Sequence, residues 1–412
     1  MKANQLISLI CLLSVPSLFW GCDRPEKSLS TDLPYRINWP DFLGDPEELT
    51  KLGSIAESID YITLKTPDSA KVGMMFEMRI TDNNIFVLDQ TFSLFVFDIE
   101  GNFRTKINHL GRGPGEYPGL NGSMINTDNN LIGLHYGSKV FFYDFSGNPI
   151  KVTDIKYGSY PVSANWLTDD KYVGLMNVSP LTGESPDDIS TIIFDTEGNV
   201  LKKERYFVEE KRPESMTSWV ERLGHLTRIK EGVLVKEPYN DTTFIIKDDL
   251  ERIPFIINYL GRHRAPREFL ETPMSYNLGE NRAPSDVASY IMSYRSFIYP
   301  AYFFVTFKNN NRNYSGVWDY RNMKAFSVSD AVAGLTDDID FGLPFVAPRD
   351  GFIANNPDEM VDLIEPIKLL SDPAINPREG SRLAEIMEDM SIDDNPVIRI
   401  IKTKAEISPL GE

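Results

Sequence analysis

The stretch 77–117, EMRITDNNIFVLDQTFSLFVFDIEGNFRTKINHLGRGPGEY, constrains the fold most, because later segments can be laid over it piece by piece. Two apolar runs, 85–88 and 94–97, flank a short polar loop. A second strand pair is joined across Asp98-Ile99-Glu100-Gly101, where Asp caps a turn with its side chain and Gly supplies the positive φ. Both alternating faces of Leu94-Phe95-Val96-Phe97 are apolar, so this strand needs cover on both sides, as in a sheet stacked between two others. That is the condition of a propeller blade.

The turn gives a way to count. LFVFDIEGN (94–102) returns as VFFYDFSGN (140–148) and TIIFDTEGN (191–199). Degenerate copies follow as FIIKDDLER (244–252) and GVWDYRNMK (316–324), where Asn322 replaces the Gly. The turn aspartates Asp98, Asp144, Asp195, Asp248 and Asp319 keep a blade-like spacing except for one long gap. A second marker, TDNN at 81–84 and 127–130 and TDDK at 168–171, falls between the first two strands of a unit. Turn chemistry rather than calcium accounts for these residues, since each stands apart from any carboxylate cluster. A sixth unit is expected at the C-terminus: an inner strand at 351–354, a helix at 379–390 with Leu383, Ile386, Met387 and Met390 on one stripe, and a final strand at 397–401. The strand-like 59–64 would complete it from the other end of the chain. The expected fold is thus all-β, a six-bladed β-propeller over 53–404 closed by an N-terminal strand, with helical insertions in blades four to six. Deleting the chain through Leu64 should open the ring and expose two sheet edges.

At the N-terminus, Lys2 precedes an apolar run over 6–20, broken by Pro16, and then Gly21-Cys22. The run is short for a spanning helix and has the order of a secretory signal. A small residue before Cys resembles the bacterial lipobox, in which Cys22 is diacylated, although Phe19 stands where Leu is usual and Trp20 is bulky. With Cys11 inside the leader, Cys22 has no partner for an intramolecular disulfide. The expected layout is a signal at 1–21, a proline-bearing and partly packed tether at 22–52, the propeller, and a tail at 405–412. Removal of 23–48 should then be mild. The formal charge of −18, which loss of a leader bearing Lys2 takes to −19, argues against nucleic acid as a partner.

IDYITL at 59–64, GRGPGEY at 111–117 and the repeated xxFDxxGN turns together resemble the six-bladed β-propeller lipoproteins of the Bacteroidetes, relatives in shape of the NHL-repeat propellers. The likeness spans about 55–404 and thins in blades four to six. It implies the fold and a lipid-anchored place in the cell envelope, at the outer membrane. It carries no ligand or catalytic residue.

Catalytic patterns are sparse. His109, His135, His225 and His263 are scattered, and neither His-Glu-x-x-His nor Gly-x-Ser-x-Gly occurs. GRGPGEY lacks the Gly-Lys-Ser/Thr of a phosphate loop, so Arg112 and Glu116 are expected to pin the crossover between blades one and two. His135 is expected in the loop between strands two and three of blade two. The long connections, 176–190, 205–226 and 261–300, should all emerge on the face opposite the tight Asp turns, and 285–294 could be helical. That face gathers the candidate ligand-binding residues Arg112, His135, Trp219, Arg262, His263 and Arg264, guanidinium groups to orient a ligand and an aromatic ring to stack on it. The expected function is a binding module for a glycan or protein. The alternative is a hydrolase or lyase acting on an exported carbohydrate or peptide at the propeller axis. No metal or cofactor is expected, and a monomer is.

Overall fold

The computed structural model describes residues 33–176, 189–206, 224–237, 240–266, 288–291 and 293–407. Three strands precede the first blade: β1 (Tyr35–Asn38), β2 (Glu47–Leu49) and β3 (Ala56–Thr63). Blade one is β4 (Met75–Ile80), β5 (Asn84–Asp89), β6 (Leu94–Asp98) and β7 (Phe103–Ile107). Blade two is β8 (Gly122–Asn126), β9 (Leu131–Tyr136), β10 (Lys139–Asp144) and β11 (Pro149–Asp154), and blade three is β12 (Pro161–Trp166), β13 (Lys171–Met176), β14 (Ile189–Asp195) and β15 (Val200–Arg205). Blade four is β16 (His225–Ile229), β17 (Gly232–Lys236), β18 (Thr242–Ile246) and β19 (Arg252–Tyr259). Blade five is β20 (Ser293–Ile298), β21 (Phe303–Asn309), β22 (Arg312–Asp319) and β23 (Lys324–Val328). The chain ends in β24 (Phe352–Ile353), β25 (Glu359–Ile364), helices α1 (Pro366–Ser371) and α2 (Arg382–Asp389), and β26 (Val397–Thr403).

Period-2 alternation sends successive residues of a central strand to opposite sheet faces. In β5, Ile85 and Val87 pack against blade six while Phe86 and Leu88 pack against blade two. The same division recurs around the ring. Met124, Val140 and Phe142 meet Trp166 and Phe194; Val173 and Leu175 meet Val233 and Val235; Leu234 and Phe255 meet Phe303 and Trp318; Phe304 and Val317 meet Met360 and Ile401. Every junction between neighbouring blades therefore has its own apolar core, and the ring closes as a six-bladed propeller.

Closure follows the expected register. β3 pairs antiparallel with β26, setting Thr63 against Val397, Tyr61 against Arg399 and Ile59 against Ile401. Arg399 is fully buried between these strands, with Asp362 Oδ2 2.7 Å from Nη2 and the carbonyls of Leu343 and Pro344 as further acceptors. The Asp turns also form as expected. Asp98, Asp144 and Asp195 each accept the backbone N–H and the amide of the Asn four residues on. In the fourth copy the cap is Asp249 rather than Asp248, accepting from the Glu251 N–H, with Leu250 at φ 69° in place of Gly.

Three expectations need correction. The part of the expected tether at 35–52 is integral to the ring: β1 pairs in parallel with β19 and β2 with β23, extending blades four and five outward. Tyr35, Ile37, Trp39 and Phe42 are buried in the core between those blades. Second, β24 does not open blade six but pairs in parallel with β4 at the inner edge of blade one, and blade six begins at β25. Third, α1 and α2 both lie in blade six, between β25 and β26; of the expected helix 285–294, Ala288 is helical, 285–287 lie outside the described residues and Tyr294 belongs to β20. The rest of the insertions at 177–188, 207–223 and 267–287, Trp219 among them, and Cys22 lie outside the described residues.

The strand order gives the molecule two unlike faces. Turns within the first and third hairpins of each blade, including the Asp turns, form one face; second hairpins and blade-to-blade connections form the other, here the connection face.

Candidate functional site

At the connection-face end of the axis, Glu77 of β4 reaches across to blade two, where its Oε2 accepts from the Ser123 backbone N–H at 2.8 Å and the Ser123 hydroxyl at 2.6 Å. Burial raises the Glu77 pKa, and the two Ser123 bonds only partly oppose it. His135 lies beside it. It stands on β9 opposite Gly122 and is buried, and neither ring nitrogen has a hydrogen-bond partner among the described residues. Burial pushes its pKa down to about 4, so the ring is neutral at physiological pH.

Gly122 leaves the space between the two groups. A Cβ there would stand 2.8 Å from Glu77 Oε1 and 3.0 Å from His135 Nε2, so any side chain at 122 would have to push the carboxyl or the imidazole aside. A protonatable carboxyl and an unbonded neutral imidazole thus converge on one small cradle. Such a pair can exchange hydrogen bonds with hydroxyl, amide or carboxyl groups of a ligand.

Further polar groups ring the axis. On blades four and five, Arg295 places Nε 2.6 Å from Asp350 Oδ2 and Nη1 3.2 Å from His225 Nδ1. Burial first, then the charges of Arg295 and Lys236, push His225 down to about 3. On the same face Met74, Phe76, Leu110, Tyr136 and Tyr160 are exposed, all on the connection-face side of blades one to three. Among the described residues, no group of three or more His, Cys, Asp or Glu could hold a metal ion.

The expected site residues separate into distinct places. His135 is in the axial cluster, but on a strand and buried rather than in a loop, because β9 runs on through Tyr136 and the turn is confined to Gly137-Ser138. Arg112 is exposed and makes no ion pair with the described residues. Glu116 does not pin the crossover; it accepts the Gly113 N–H within its own loop. The pin is Tyr117, buried between blades one and two, its hydroxyl accepting from the His109 N–H and donating to the Phe92 carbonyl. Arg262 and His263 lie on a 3-10 turn, Gly261–His263, lining a cleft of about 600 Å³ with Asn38, Pro40, Tyr259, Asn310 and Tyr314. Arg264 turns away to pair with Asp241 at 2.8 Å.

Glu77, Gly122 and Ser123 were not legible as site residues. The usable signal was alternation in the first strand of a blade, where Glu77 and Arg79 flank Met78 and Ser163 and Asn165 flank Ala164. Polar residues at period 2 on the first strand of a blade mark the side turned from the apolar junction.

A solved structure shares this architecture. A protein of Bacteroides fragilis NCTC 9343, inferred to be exported, superposes with a TM-score of 0.64 at 17% identity, over 90% of this chain and 99% of that one. A member of the DUF4221 family from Bacteroides vulgatus ATCC 8482 superposes with a TM-score of 0.48 at 12% identity, over 85% and 97% of the two chains. No curated protein matches the sequence. No helix among the described residues is long and apolar enough to cross a membrane. The model of the family described as "Domain of unknown function (DUF4934)" matches residues 34–402, nearly the whole described chain, and the protein belongs to that family.

Proposed function

We propose that this chain is an exported envelope protein, anchored by lipid on Cys22, whose propeller binds a glycan or protein on its connection face. The observation that carries the reading is the approach of Glu77 and an unbonded His135 at Gly122, on a face that also exposes Phe76, Tyr136 and Tyr160. Buried polar atoms ordinarily find partners, so two unbonded nitrogens at the mouth of a ring point to a ligand that supplies them. Aromatic and apolar walls around a few converging polar groups are the usual make-up of such a site. The exported relative in shape and the apolar leader ending at Cys22 support the location. Arg112 and the Arg262–His263 cleft lie farther out on the same face and would contact the outer parts of a large ligand.

A second reading is a hydrolase or lyase at the same place. It is favoured by the pairing of a carboxyl with raised pKa and a neutral imidazole, a combination suited to general acid and base roles. Incubating the purified protein with glycan and peptide arrays, and assaying both retention and product formation, tests the two together. Binding that is lost in Glu77→Gln and His135→Gln supports the site; product formed by the wild type and not by these variants selects the enzyme. Ligands bound equally well by both variants would refute the assignment.

A further inference from the structure

A second polar feature lies nearer the turn face, away from the cradle. Arg79, two residues beyond Glu77 on β4, and Arg228 on β16 belong to blades one and four, which stand opposite each other in a ring of six. Neither guanidinium makes a hydrogen bond or ion pair with a described residue, and Arg79 Nε and Arg228 Nη1 are buried without a partner. The charges sense each other. Burial first, then the Arg228 charge, push the Arg79 pKa down to about 10 against the opposing charge of Asp128. Asp128 sits in an exposed turn after β8, where water screens it.

Two half-buried like charges without acceptors among the described residues are costly, the more so in a chain whose net charge of −18 offers many carboxylates. The cost falls away if an anion bridges them. From this geometry we infer an oxyanion site on the propeller axis, in which Arg79 and Arg228 grip one phosphate, sulfate or carboxylate group from opposite sides. Guanidinium forks suit such groups, since two N–H donors match two oxygens. The site is separate from the Gly122 cradle and does not rest on it.

The test is calorimetric titration of the purified protein with inorganic phosphate, sulfate and acetate, each against chloride at matched ionic strength. Saturable binding is expected, with affinity falling at least about tenfold in Arg79→Met and in Arg228→Met and unchanged in Arg382→Met, an exposed arginine of α2 paired with Glu385. In chloride alone, both axial variants should melt at or above the wild-type temperature, because each relieves the repulsion. If a Met variant does not fold, the Lys variant at that position is read instead; weakened binding supports the site and undiminished binding overturns it. Absence of saturable binding to the wild type up to about 10 mM, a free energy near 2.7 kcal/mol, overturns the proposal for all three anions. The preferred anion identifies the source: phosphate or sulfate for an inorganic or esterified group, acetate for a sugar acid or peptide terminus.

Discussion

Trp39 offers a sharp test of how the ring is held. It is fully buried, with ring centroids 4.8 Å from Tyr294, 5.4 Å from Phe307 and 6.0 Å from Phe42. Its Nε1 donates to Asn258 Oδ1 at 3.0 Å, so one side chain from the N-terminal segment ties β19 of blade four to β20 and β21 of blade five. Trp39→Ala removes a large buried ring, at about 3–5 kcal/mol, and leaves the Asn258 acceptor without its donor, at about 1–3 kcal/mol more. The site will collapse in part, so about 4–6 kcal/mol is expected in all. Trp39→Phe keeps most of the volume but not the donor, and should cost about half as much. Urea unfolding followed by near-UV circular dichroism gives both values from the shift in midpoint at constant slope. Deleting 35–52 should be worse than either substitution. A Trp39→Ala change below about 1 kcal/mol, or a wild-type midpoint after the deletion, would refute the claim that this segment is part of the ring.

Other outcomes follow from the same structure. Arg399→Ala leaves Asp362 and Asp337 with an uncompensated buried charge and should destabilise by about 3–5 kcal/mol, measured by the same unfolding. Gly198→Ala at φ 74° would press a Cβ into the Asp154 carbonyl of the neighbouring blade, whereas Gly137→Ala at φ 54° meets nothing within 4 Å; thermal melts should show the first as clearly the more damaging. For pH, the folded pKa of His135 is depressed below the unfolded value, so its contribution is fully present above about pH 6.5 and is lost as pH falls toward 4. The lost stability is about 3 kcal/mol, and His135→Gln should flatten the fall in unfolding free energy across that window by this amount.

Much of the fold could be read from the chain because the turn chemistry repeats. An Asp that must cap and a Gly that must take positive φ are local demands, legible wherever they recur, and they placed the third hairpins of blades one, two and three. The strand at 59–64 was legible because its alternation had no partner nearby and a ring supplies one. β1, β2 and β25 were not. β1 and β2 are short strands added in parallel to outer edges, and their burial comes from Trp39 and Phe42 docking on distant blades, a tertiary effect with no periodic trace. β25 is broken by Asp362, whose polarity makes sense only beside Arg399. The candidate site was legible in part: His135 is there, but Glu77 and Gly122 matter through a contact between two blades that sequence spacing cannot express.

The most direct measurement of the central claim is the affinity of an array-identified glycan or peptide for Gly122→Ala. Gly122 is not among the positive-φ glycines, so alanine suits the backbone, yet its Cβ would occupy the cradle between Glu77 and His135. With melting temperature little changed, binding should weaken by about tenfold or more, while Asp144→Asn on the turn face should bind as the wild type does. Wild-type affinity in Gly122→Ala, or loss of binding in folded Asp144→Asn, would contradict a ligand site at the axial mouth of the connection face.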